Sequence, residues 1–399
     1  MNTTNNKILS SLNSENPDSD NIPQLRFPEF EGEWGKKKLG EVTNIYDGTH
    51  QTPNYVQQGI PFYSVEQLTA NDFNKTKFVS KEVFEKENKR VKLEKGDILM
   101  TRIGDIGTSR YIDWDVNASF YVSIVLIKQS LKFNSKFIHH FIGTKFFQNE
   151  LWNRTIHVAF PKKINLGEIG NCIIQLPYVA EQTKIASFLT AVDEKIQALK
   201  KKKSLLENYK KGVMQKLFSQ ELRFKDDGEE FADWEVKKLG EVAKITTGSS
   251  NRQDSSLIGE FTFFDRSQDI RTSDRYLFDG EAIIVPGEGQ EFIPKYFIGK
   301  FDLHQRTYAI MDFINANGLF LFYSISFNTN HLNSQAVGST VKSLRLPMFE
   351  TMPINLPCLT EQTKIANFLS AIDEKINHTA TQIEKTRAWK KGLLQKMFV

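Results

Sequence analysis

Leu176–Ile196 reads LPYVAEQTKIASFLTAVDEKI and Leu356–Ile376 reads LPCLTEQTKIANFLSAIDEKI, with 15 of the 21 positions identical at an offset of 180. Internal repetition outranks local pattern as a fold signal, so the rest of the chain is aligned to it. Downstream, Tyr209–Phe218 (YKKGVMQKLF) answers Trp389–Phe398 (WKKGLLQKMF) at the same offset. Upstream, KKLGEV at Lys37–Val42 recurs at Lys237–Val242, now at an offset of 200. Each copy begins with LRF (Leu25–Phe27, Leu222–Phe224) and a Trp (Trp34, Trp234). Between these anchors the two copies have drifted apart, as expected of one scaffold kept twice around two divergent inserts.

The EQTKIA stretches open two long helices. From Glu181, the positions Ile185, Leu189, Val192 and Ile196 recur with heptad spacing, and Ile365, Leu369, Ile372 and Ile376 repeat them. One apolar seam per helix requires a covering surface. The simplest cover is the other copy, as an antiparallel pair that makes the molecule pseudo-twofold; the alternative is each helix lying on its own domain. Polar interruptions at Lys203, Lys210, Thr379 and Thr386 either set the register or mark where the pair splays. Gly212 and Gly392 occupy matching helical positions, which implies close backbone approach or a helix end. The inserts, about 43–176 and 243–356, are rich in Phe, Tyr, Ile and Val in short alternating runs broken by Gly, which reads as strands with some helix. The fold class is therefore α+β: two mixed domains joined by two long helices forming an antiparallel coiled coil. The expected boundaries are a polar arm over 1–22, a first domain over 23–178, a central helix over 179–220, a second domain over 221–358 and a C-terminal helix over 359–399.

A chain of 399 residues with 40% hydrophobic and 25% charged residues suits a soluble multidomain protein, and its apolar runs are too short to span a bilayer. A cytoplasmic location is expected. Cys172 and Cys358, the only cysteines, each precede a repeated LP in an apolar run and are expected to be buried, reduced thiols. The net charge of +4 permits a nucleic-acid partner without requiring one. Lys195–Lys216 carries eight lysines against Glu207, a solvated face or a contact surface. There is no GxxxxGK[ST], GxSxG or HExxH. His139 and His140 are adjacent and do not share a helix face, so no metal role is assigned to them. Gly104–Gly107 (GDIG) reads as a turn, and Glu288 lacks a paired carboxylate. No catalytic residue is assigned.

Copy-against-copy comparison locates the variable surface. Gly48 and Gly59 align with Gly248 and Gly259, and between them Thr49, His50, Gln51 and Thr52 face Ser249, Ser250, Asn251 and Arg252, with Gln253 next. Fixed glycines imply a shared backbone path. The exchanged side chains are types that hydrogen-bond base edges: Arg to guanine, Asn or Gln to adenine, Ser or Thr to either. Aligning Gly96-Asp97 with Gly280-Glu281 sets Arg102 at the end of the following strand against Pro286. Near the exit, Lys162 and Lys342 are in register, flanked by Lys163 in one copy and Ser339, Thr340 and Arg345 in the other, a pattern suited to phosphate anchoring beside readout. Copy two is about 20 residues shorter, mostly before Gly280.

The duplicated LP…EQTKIA…DEKI helices with their KKGxxQKxF ends, and the LRF…W…KKLGEV entries, resemble the specificity subunits of type I restriction–modification enzymes. The resemblance covers nearly the whole chain beyond the first 20 residues. It implies a non-catalytic subunit whose two target recognition domains each read half of a split double-stranded DNA site, with the helices as spacer. It further implies two methyltransferase subunits that bind S-adenosylmethionine and modify adenine N6, and restriction subunits using ATP and magnesium, with no cofactor on this chain. Two other readings are a protein-assembly scaffold without sequence-specific DNA readout, and a stand-alone enzyme.

Overall fold

The computed structural model describes residues 21–399. The arm expected over 1–22 lies, except for Asn21 and Ile22, outside the described residues. The chain divides into two compact units, one of residues up to 198 together with 382–399, the other of 199–381. Each unit is thus assembled from both copies of the repeat. The central helix (Val179–Phe218) gives its first half to one unit and its second half to the other, and the C-terminal helix (Leu359–Lys396) does the reverse.

In the first unit, the strand Gly35–Lys38 pairs antiparallel with Ile173–Leu176, so the entry motif is stitched to the exit LP. Between them lie two four-stranded sheets. One runs in the order Ile45–Asp47, Ile124–Ile127, Ile98–Ile103, Asp105–Tyr111; the other in the order Tyr55–Val56, Lys77–Val79, Ile60–Tyr63, Ser119–Phe120. In the second unit Glu235–Lys238 pairs with Pro353–Leu356 in the same way. Its insert has one six-stranded sheet beside the short Glu288–Gly289 and Lys342–Ser343 pair, because the continuous strand Lys295–Leu303 does what Asp105–Tyr111 and Ser119–Phe120 do separately. The helices Val65–Ala70 and Lys81–Asn88 have no counterpart between Phe264 and Phe278, which accounts for most of the length difference.

The seam residues are buried as expected, with Ile376 partly so, but they have two covers. Ile185, Leu189, Val192 and Ile196 join a core that contains Trp34, Phe137 and Phe141 of the first domain and also Leu393, Met397 and Phe398 from the end of the C-terminal helix. Ile365, Leu369 and Ile372 join Phe320, Phe349, Val213, Leu217 and Phe218 in the second unit. Both sequence alternatives therefore operate together. Direction is fixed inside each unit. In the first, Arg26 bonds Glu181, its neighbour Leu25 bonds the Lys396 carbonyl, and Asp193 meets Lys390 at 2.6 Å. In the second, Arg223 bonds Glu361, and Lys210 reaches both oxygens of Asp373 at 2.7 Å. The helices run antiparallel in each. Of the seam interruptions Lys210 therefore sets register, and its repeat mate Lys390 does the same in the first unit. Thr379 and Thr386 are buried, and their hydroxyls bond helix carbonyls four residues back.

The repeated EQTK is explained by packing. Glu181 and Glu361 are fully buried and accept from Arg26 and Arg223 of the LRF motifs. Gln182 donates to the Pro177 carbonyl at 2.8 Å and accepts from the Asn134 amide at 2.8 Å; Gln362 does the same with Pro357 and Asn317, at 2.8 and 2.7 Å. A buried carboxylate is tolerable only when so paired.

Two expectations are corrected, on the helix glycines and on Cys358. A Cβ on Gly212 or Gly392 would meet nothing within 4 Å, and both lie inside helices, so neither close approach nor a helix end applies. Cys172 is buried, and burial pushes its thiol up to about 12, but Cys358 is exposed. No helix among the described residues is long and apolar enough to cross a membrane.

Candidate nucleic-acid interface

Strand register matches the two inserts residue by residue. Gly48 and Gly248 each lie where a Cβ would collide with a carbonyl, of Phe120 at 2.0 Å and Leu303 at 1.7 Å, so glycine is obligatory at both. Beyond them the alignment slips by one. Thr49 bridges Tyr121, whereas Ser250, not Ser249, bridges His304. Tyr63 pairs with Phe120 and Phe264 pairs with Leu303, which keeps the one-residue shift. The second copy carries one extra residue after its glycine, and His50 stands where the second domain has Asn251. Arg102 bonds through its amide to the Ser123 carbonyl and Gly287 to that of Arg306, so Arg102 corresponds to Gly287 and not to Pro286.

Three candidates from the sequence prove to be supports. Thr49 is buried. Arg102 is buried, donating to the carbonyls of Ile164 at 3.1 Å and Val122 at 2.8 Å. Ser250 is buried and donates to Asp302 at 2.6 Å. The Arg102 and Ser250 side chains are spent on internal partners, and the buried Thr49 hydroxyl makes no hydrogen bond among the described residues, so all three shape the loops rather than meet a ligand. The others lie at the surface. His50, Gln51 and Thr52 are exposed, with Thr52 Oγ1 3.1 Å from the Tyr121 hydroxyl. Ser249, Arg252 and Gln253 are exposed, and half-buried Asn251 accepts from Gln305 at 2.7 Å. Lys162, Lys163, Ser339, Thr340, Lys342 and Arg345 are exposed. Lys162 and Lys342 are in register: the Lys162 carbonyl accepts from Gly104 and Lys342 pairs with Gly289. Gly104 has φ of 81° in the tight turn between its strands, but Asp105–Gly107, read with it as a turn, already belong to the strand Asp105–Tyr111.

Each domain also holds a carboxylate-centred basic cluster that the sequence did not reveal. In the first, buried Asp47 accepts from Arg90 at 2.7 Å and contacts His50 at 2.8 Å, with Arg102 at 3.6 Å. Burial acts to raise the Asp47 pKa, but the hydrogen bonds and charges of Arg90 and His50 together hold it below the usual range. In the second, Glu288 accepts from Arg266 and Arg306, each at 2.5 Å. The same domain also holds Arg252, 3.8 Å from Asp265, and Arg275, 3.7 Å from Asp302. Apart from the Asp47–His50 pair, these partners come from separate segments of the chain. His139 and His140 play no part in either cluster. They bond Ser109 at 2.9 Å and Thr190 at 3.4 Å, and burial pushes both down to about 3. Among the described residues no group of three or more potential ligands could hold a metal ion.

The arrangement is a pair of polar, basic turn surfaces on a duplicated frame, suited to recognition. The sequence matches the type I restriction modification DNA specificity domain twice, over residues 31–208 and 232–386. The chain belongs to this family. Its function is sequence-specific DNA recognition. The chain is 30% identical over 156 residues to the EcoDI specificity subunit of Escherichia coli, a match spanning 39% of this chain and only 33% of that subunit. It is 23% identical over 403 residues to the putative MjaX specificity subunit of Methanocaldococcus jannaschii, covering 94% of this chain and 95% of that protein. Among solved structures, a type I restriction-modification S subunit from M. genitalium shares the fold with a TM-score of 0.66 at 14% identity, over 95% of this chain and 99% of that one. A chain from a study of complex assembly and conformational transition in a type I system gives 0.53 at 15% identity, over 92% and 97%.

Proposed function

We propose that this chain is the non-catalytic specificity subunit of a cytoplasmic type I restriction–modification complex, each domain reading one half of a split double-stranded DNA target. The observation that carries this is the contrast between frame and surface. Strand order, entry–exit pairing, glycine contacts and the in-register Lys162 and Lys342 repeat, while the exposed turn residues and basic clusters differ. A repeated phosphate-facing frame positions, and differing side chains specify. Two methyltransferase subunits are the proposed partners, with the long helices as spacer. Tyr209 and Trp389, repeat mates at 53% and 50% exposure, give each unit an aromatic for the same partner. S-adenosylmethionine for adenine N6 transfer, and ATP with magnesium for restriction subunits, would reside in those partners; the base would be flipped out by the methyltransferase.

The test is a map of N6-methyladenine in cells carrying the cognate methyltransferase with and without this chain. A split motif, methylated on both strands and dependent on the chain, is expected. An assembled complex that adds no motif would leave a protein-assembly scaffold as the better reading.

A further inference from the structure

We infer that the Arg266–Glu288–Arg306 cluster is a guanine-reading clamp, and that it sets at least one G·C position in the half-site of the second domain. This rests on the reading of the chain as a DNA specificity subunit.

The cluster lies on three separate segments. Glu288 sits on the short strand Glu288–Gly289, paired with Lys342–Ser343. Arg266 follows the strand Phe261–Phe264, and Arg306 lies in the turn before Thr307–Met311. Each arginine gives Glu288 one Nη1 hydrogen bond, one to each carboxylate oxygen, and makes no other side-chain hydrogen bond among the described residues. Their side chains remain 45% and 58% exposed, while Glu288 is only 16% exposed beneath them. A guanidinium has five donors in a planar fork. One bond to a fixed carboxylate orients the plane and leaves an edge free for a bidentate contact with guanine O6 and N7.

Two features favour a base over a phosphate. First, the charge of the pair is already partly neutralised by Glu288, which weakens attraction for a phosphate but leaves the donor geometry intact. Second, the cluster belongs to one copy only. By the strand match, Val65, Ile103 and Ser123 stand in the first domain where Arg266, Glu288 and Arg306 stand in the second. A sequence-independent phosphate contact would be wanted in both halves, as the registered Lys162 and Lys342 are. A reader need occur only where its base is read. The Asn251–Gln305 amide pair continues the same surface, Gln305 being the neighbour of Arg306.

The experiment expresses the full chain with its methyltransferase in cells and maps methylated motifs for wild type, Arg306→Lys, Arg266→Lys and Glu288→Gln. Lysine keeps the charge and any phosphate attraction but loses the bidentate fork. The expected result is relaxation of one or two G·C positions in one half-site only, by roughly ten- to a hundredfold in preference, the range of a single bidentate base contact. The other half-site stays unchanged and serves as an internal control for folding and assembly. Glu288→Gln should relax the same positions more weakly, since it orients the arginines without touching the base. An unaltered motif in both lysine variants would overturn the clamp while leaving the parent reading in place. So would a wild-type motif with no G·C pair in either half. A wild-type chain that assembles but directs no motif would overturn the parent reading, and the clamp with it.

Discussion

Buried titratable side chains away from the recognition surface make the fold sensitive to acid. His140 is 4% exposed, bonds Thr190, and faces Asp193 at 3.9 Å, with Lys390 and Lys136 near enough to oppose a second positive charge. Burial first, and those lysines next, push its pKa down to about 3, against about 6.5 in an unfolded chain. The unfolded state therefore binds the proton first. Stability from this residue is complete above pH about 6.5 and declines as the pH falls toward 3. Between pH 7 and 5 wild type should lose about 2 kcal/mol more than His140→Gln, from urea unfolding at both pH values; equal losses would refute the assignment. Sequence reading excluded these histidines from metal chemistry but could not give their burial, which depends on the central helix packed over them. The same limit explains Arg102, Thr49 and Ser250. Residue type marked them as base readers, yet the fold directs them inward, and a one-residue slip after Gly248 is invisible to a glycine-anchored alignment. The Asp47 and Glu288 clusters escaped for the opposite reason, since their partners come from three or more segments with no shared spacing.

At the level of elements, the long helices were readable because heptad spacing is a local signal and most seam residues are buried. Their glycines were misread because the sequence shows a cost without its context. Gly212 and Gly392 have open space where a Cβ would stand and no positive φ, so no packing requirement offsets the helix penalty. Alanine at either position should stabilise its unit by about 0.5–1 kcal/mol, chiefly by restricting the unfolded chain. Thermal or urea unfolding of the single variants measures this; a loss of stability would point to a backbone requirement at that helical turn. The sheets were readable as strand-rich inserts but not in topology. Whether Lys295–Leu303 runs unbroken or is split, as its counterpart is between Tyr111 and Ser119, depends on pairing with distant strands.

The duplication was visible in the sequence; the exchange of helix ends between units was not, because an offset between repeats says nothing about which copy completes which core. Phe398, near the chain terminus, packs its ring 6.0, 5.2 and 5.8 Å from Trp34, Phe137 and Phe141 of the first unit. Its repeat mate Phe218, at the end of the central helix, lies 6.4, 5.8 and 5.2 Å from Trp234, Phe320 and Phe327 of the second. Each domain thus closes its core with an aromatic supplied by the other copy's helix. Truncating a buried Phe to Ala costs about 3–5 kcal/mol through lost transfer energy and the cavity left behind. Phe398→Ala should therefore lower amide-exchange protection in residues 35–176, although it lies more than 200 positions away, and spare 243–356. Phe218→Ala should do the reverse. Domains closed by their own copy's helix would give the opposite pairing, with Phe398→Ala loosening the second domain. The crossed result would mean that neither recognition domain completes its core until both helices have formed, which ties the integrity of the first DNA-reading surface to the last residues of the chain.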